Sequence, residues 1–160
     1  MKTVIPQTAR SRLRAQTLLQ SYHAECEANF LRLSRLLHGF ESGAELNVAL
    51  PHRDRRPDFV DLRVIERNPY TAQVEIAQRE PPWGAGQRMM MQLRVYLDAR
   101  MAEVIACQGL RHFKLRYHYP NPQMLAPDEK RQLNHFLGEW LSACLRHGQS
   151  TRTVALAAGN

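Results

Sequence analysis

The stretch that decides the fold is Met89-Met90-Met91-Gln92-Leu93-Arg94-Val95-Tyr96-Leu97-Asp98-Ala99-Arg100-Met101-Ala102-Glu103-Val104-Ile105-Ala106-Cys107. In its first half Met89, Met91, Leu93, Val95 and Leu97 alternate with Met90, Gln92, Arg94 and Tyr96. A period of two puts the apolar set on one face of a β-strand. The second half, Met101 to Cys107, is apolar on both faces apart from Glu103, which predicts a more deeply buried strand. Asp98 suits a turn at the join. A link this short makes a hairpin, because a parallel crossover needs about a dozen residues or more. The sheet is therefore expected to be antiparallel, with one face able to meet water.

The same alternation recurs on both sides of this stretch. It is carried by Leu46, Val48 and Leu50; by Val60, Leu62 and Val64; by Tyr70, Ala72, Val74 and Ile76; and by Phe113, Leu115, Tyr117 and Tyr119. Asn68-Pro69 and Gln108-Gly109 read as turns, while 51–57 and 79–86 are longer connections. At the two ends the period becomes helical. Tyr22, Cys26, Phe30, Leu33 and Leu37 form one stripe, with Ser21 as a candidate cap and Gly39 as a candidate stop. Pro127 opens a second helix with Asp128 and Glu129 at its positive end. Leu133, Phe136, Leu137, Trp140, Leu141, Cys144 and Leu145 give it a continuous apolar face, and Gly148 follows its last turn. The expected fold is α+β: an antiparallel sheet of about six strands with the N-terminal and C-terminal helices packed on one face. The expected organisation is a single domain over 1–160. Residues 1–9 form a loose arm, 10–148 the folded core and 149–160 a flexible tail.

Composition bounds the function. The chain has 160 residues, a net charge of +7, 44% hydrophobic and 23% charged residues. That mixture excludes wholesale disorder. No apolar run reaches the roughly 18 residues that span a bilayer, and the first residues contain no signal-peptide apolar region. Three widely spaced cysteines, Cys26, Cys107 and Cys144, fit neither a disulfide framework nor a zinc knuckle. A cytoplasmic setting is the natural expectation.

No phosphate-cradling glycine loop and no nucleophile elbow is present. The histidines are scattered, and no metal or other cofactor is expected. Asp98, Glu103, His112 and His118 are the residues an enzyme acting on a phosphorylated metabolite would use, but their spacing supports no nucleophile–base pair. The charge is the better lead. Arginines number 19 against 3 lysines, and arginine forks suit phosphate. Two basic clusters stand out, Arg10, Arg12 and Arg14 near the start, and Arg53, Arg55 and Arg56 in the first long connection. Arg63, Arg94, Lys114, Arg116 and His118 are expected on the outer sheet face. The leading expectation is a non-enzymatic binding module for an anionic partner, nucleic acid or nucleotide. The alternative is a homodimeric or protein-interaction adaptor, with Trp83 and Met90 as candidate anchors.

The chain also resembles a known group. The residues that carry the resemblance are Glu66, Pro69-Tyr70-Thr71, the run from Arg94 to Val104, Tyr117-His118-Tyr119-Pro120-Asn121, Asp128-Glu129-Lys130, Phe136-Leu137, Trp140-Leu141, Cys144-Leu145 and His147-Gly148. In order, over roughly 22–148, they are similar to the uncharacterised bacterial YqiB-like family, a domain of unknown function. Leu97 departs from the pattern, which has a histidine before the aspartate. The resemblance implies no catalytic residue and no ligand. Asn121, Gln132 and Asn134 are its polar positions least explained by packing, and with Tyr117 they join the ligand-binding candidates.

Overall fold

The computed structural model describes residues 7–54, 56–79, 89–108 and 127–150. The order is α1 (Gln7–Leu37), β1 (Glu45–Leu50), β2 (Asp58–Arg67), β3 (Thr71–Arg79), β4 (Met90–Tyr96), β5 (Met101–Gln108), α2 (Pro127–His147) and β6 (Gln149–Ser150). The strands form one six-stranded sheet in the order β5-β4-β3-β2-β1-β6. Every pairing is antiparallel, with Val60↔Gln78, Ile76↔Met91 and Val95↔Ala102 fixing the central registers.

Alternation decides which face is covered. Val60, Leu62, Val64, Val74, Ile76, Met91, Leu93, Val95, Ala102 and Val104 are buried and join Phe30, Leu33 and Leu37 of α1 and Leu133, Leu137 and Leu141 of α2 in one core. Asp61, Arg63, Gln73, Glu75, Gln92 and Arg94 take the alternate positions. Two bulges interrupt the alternation. One lies between Val64 and Glu66 and leaves Ile65 exposed; the other lies between Gln92 and Leu93 on β4, opposite Ile105 of β5.

Two boundaries differ from expectation. Residues 7–9, assigned to the arm, are already helical. A proline just before this point is no obstacle, since the ring is tolerated in a helix's first turn. Gln149 and Ser150, assigned to the tail, pair with Ala49 and Val48. Gly148 makes this possible: a Cβ there would meet the Cys144 carbonyl oxygen and Val48 Cγ1, so only glycine lets the chain pass from α2 onto β1. The strand expected near 113–119 lies outside the described residues; among the described residues the sixth strand of the sheet is this short β6.

The first half of α1 stands apart from the core. All residues from 10 to 20 are exposed, and burial begins only with Tyr22 and Cys26. At 1.5 Å per residue, the 31-residue helix is about 46 Å long, so its first turns project well past the apolar stripe that holds it. His38 and Gly39 end it with positive φ of 49° and 105°.

Candidate functional site

Glu103 is the single charged residue of β5, and a polar cluster is built around it. Its carboxylate accepts the Tyr22 hydroxyl of α1 at 2.6 Å and the Tyr96 hydroxyl of β4 at 3.0 Å. Lys130 Nζ of α2 lies 3.7 Å away. One side chain thus ties four elements together while staying 19% exposed. Burial pushes its pKa up, but the two phenol donors and the ammonium outweigh burial and hold it below the ordinary carboxylate range. Burial, reinforced by the same carboxylate, raises both phenols above their ordinary value. A carboxylate kept ionised beside phenols kept protonated is a fixed acceptor, poorly poised for proton transfer near neutral pH.

Beside this cluster runs a groove of about 540 Å³. Ala15, Leu18, Leu19 and Tyr22 of α1 form one wall; Asp128, Lys130 and Arg131 of α2 form the other; Glu103 lies between them. The seam then continues along the two helices, which run in the same direction. Tyr22 meets the start of α2, Asn29 donates to the Asn134 carbonyl, and Arg32 lies beside Gly138.

The sequence candidates fall in different places. Asn134 is fully buried, and its side chain is spent on backbone: Oδ1 accepts the Val104 amide at 3.1 Å and Nδ2 donates to the Lys130 carbonyl at 2.7 Å. Gln132 is exposed in the seam, in a second depression with Ser21, Tyr22, Glu25 and His135. Arg63 lies on the outer face, paired with Glu45 at 2.6 Å. Arg94 shares a depression of about 300 Å³ with Glu66, Gln73 and Tyr96. Met90 is half-buried on that face. Among the described residues the outer face therefore mixes acids with its arginines. Arg10, Arg12 and Arg14 are exposed on the projecting half of α1, and Arg53 and Arg56 are exposed between β1 and β2. Arg55, Trp83, Lys114, Arg116, Tyr117, His118 and Asn121 lie outside the described residues. Asp98 has a turn role, with Oδ1 accepting the Ala99 amide at 2.9 Å.

Tyr22, Lys130, Leu18 and Leu19 were not singled out from sequence as site residues. Glu103 was the available signal, because a lone charge in an apolar strand needs a partner. Among the described residues no group of three or more His, Cys, Asp or Glu side chains could hold a metal ion. Likewise, no described helix is long and apolar enough to cross a membrane.

Fold and site together define an α+β fold, an antiparallel sheet with an N-terminal and a C-terminal helix packed against it. The chain belongs to the family described as "Protein of unknown function (DUF1249)", matched over residues 32–150. It is 38% identical over 124 residues to "Uncharacterized protein YqiB" of Escherichia coli strain K12, covering 77% of this chain and 85% of that protein. The proteins of the same name from the O6:H1 strain CFT073 and from O157:H7 match equally. No solved structure matches. The family match begins at residue 32, so the projecting half of α1 lies before it. Leu97 is partly buried against the core.

Proposed function

We propose that this protein is a non-enzymatic binding module whose anionic partner, a nucleic acid, is engaged through the projecting half of α1. The observation that carries this reading is the composition and exposure of that half. Arg10, Arg12 and Arg14 are all exposed, and the chain has no acid before Glu25. At about 100° per residue, Arg10 and Arg14 share a face and Arg12 lies nearly opposite. Cations spread around a helix suit a polyanion better than a single phosphate group, which asks for convergent donors. The unreactive poise of the Glu103 cluster supports binding over catalysis. The test is fluorescence anisotropy with labelled single- and double-stranded oligonucleotides at low salt, alongside a nucleotide thermal-shift series. Retention of an oligonucleotide is expected. If no oligonucleotide binds at low salt, the reading fails.

A second reading rests on a separate observation. Leu13, Leu18 and Leu19 of the same half-helix are 55%, 42% and 55% exposed. Three such leucines on one projecting helix favour a protein partner or a second copy of the chain. Light scattering across a concentration series separates the two: a mass that stays monomeric removes the homodimer.

A further inference from the structure

We propose that the groove between the first half of α1 and the start of α2 binds a small zwitterion with a bulky apolar side chain, as an apolar amino acid presents. This site is separate from the anionic-partner surface, and the two stand or fall independently.

Volume and walls come first. About 540 Å³ lies within the range of small-molecule sites and exceeds the needs of one amino acid. The α1 wall is apolar through Ala15, Leu18 and Leu19, and both leucines keep much of their surface exposed. Covering them gives an apolar side chain a place to go.

Charge selects the rest of the ligand. Glu103 and Lys130 face each other at 3.7 Å. That gap is wider than the roughly 2.7–2.9 Å of a tight charge-assisted hydrogen bond. A ligand ammonium can therefore lie against the carboxylate while the ligand carboxylate takes the Lys130 ammonium. A simple acid would set its charge beside Glu103, and a simple amine would set its charge beside Lys130; each gains one contact and suffers one repulsion. Only a ligand carrying both signs satisfies both residues. Arg131 and Asp128 pair closely at 3.0 Å, whereas the Glu103–Lys130 contact is the looser of the two ion pairs in the groove, at 3.7 Å. The acceptor is also preorganised. Two phenol hydroxyls already hold the Glu103 carboxylate in place, so binding need not order it.

The experiment titrates the full chain with L-phenylalanine, 3-phenylpropanoate and phenethylamine, followed by amide and leucine-methyl NMR shifts. Phenylalanine is expected to give saturable shifts at Leu18, Leu19, Glu103 and Lys130, with both single-charge analogues weaker by roughly tenfold or more. Glu103→Gln should remove that preference over 3-phenylpropanoate while keeping an amide oxygen for the tyrosines. Leu19→Ser, at an exposed position that does not threaten the fold, should weaken all three compounds, since each carries the phenyl group, and leave their order unchanged. No saturable shift with phenylalanine, equal binding of all three compounds, or shifts confined to another part of the molecule would each overturn the proposal.

Discussion

The Asn134 side chain of the C-terminal helix caps the edge of the sheet at Val104, accepting its backbone amide at 3.1 Å. Among the described residues β5 is an outermost strand of the sheet, and such a strand has N–H groups with no neighbouring strand to receive them. Here a fully buried helix side chain serves one of them. The backbone carbonyl of the same residue receives the Asn29 side-chain amide at 2.9 Å, and Asn29 Oδ1 in turn accepts Arg32 Nη1 at 2.8 Å. Two buried asparagines thus hold α1, α2 and β5 in one arrangement, and the groove beside Glu103 inherits its shape from them.

Asn134→Ala strands the Val104 amide away from water. A buried unsatisfied group costs about 1–3 kcal/mol, so the urea midpoint should fall by that equivalent. Gln132→Ala, at the neighbouring exposed position, should stay within about 0.5 kcal/mol of the parent. Equal midpoints for the two variants would remove Asn134 from its place in the edge.

Gly138 of α2 lies directly against side chains of α1. A Cβ there would press on Glu25 Oε1 and Arg32 Nη1, the ends of two flexible side chains that pair at 3.1 Å. Those ends can yield, and alanine gains about 1 kcal/mol of helix propensity over glycine. Gly138→Ala should therefore change stability little, while Gly138→Leu, which must part the helices, should cost about 1–3 kcal/mol or more. Urea denaturation of both variants checks this contrast, and an unchanged leucine variant would contradict it.

Much of this architecture was legible in the sequence, and the reason is periodicity. Met91, Leu93 and Val95 announce a strand, and Leu133, Leu137 and Leu141 a helix, because each pattern buries only one face. The outer arginines were legible as outward but not as paired, because Arg63 meets Glu45 across strands and that register is tertiary information. Asn134 read as a candidate ligand group, since nothing local reveals that its partner is Val104, thirty residues earlier. Tyr22 read as the end of a core stripe, and its hydroxyl partner Glu103 lies 81 residues away. The projection of α1 was hidden for the same reason: Leu18 and Leu19 continue the apolar spacing past the point where there is a core to receive it.

The Glu103 cluster should make stability depend on acid. Its carboxyl is held below the ordinary range in the folded chain. A group depressed on folding stabilises fully above its unfolded pKa and loses that contribution as pH falls through the lower native value. The difference in unfolding free energy between the parent and Glu103→Gln should therefore be largest near neutral pH and shrink below about pH 4.3. Urea titrations at neutral and acid pH measure it, and a difference that grows on acidification would reverse the assignment.

The three described cysteines are free, and burial pushes each thiol up to about 11. Thiolate, not thiol, attacks a disulfide reagent. Ellman's reagent near neutral pH should thus react slowly with the native chain, with half-buried Cys107 ahead of buried Cys26 and Cys144. All three should react promptly in urea. Fast reaction of Cys26 in the native state would show that α1 leaves the core more readily than its packing implies.

The measurement closest to the central claim is the salt dependence of oligonucleotide affinity for the parent and for the combined Arg10→Gln, Arg12→Gln and Arg14→Gln variant. Each phosphate contact contributes about 0.7–0.9 to the slope of log affinity against log salt. The account predicts that the triple variant folds normally, binds more weakly and has a slope shallower by about 2–3. An unchanged slope with unchanged affinity would contradict it, because the projecting helix would then carry none of the phosphate contacts.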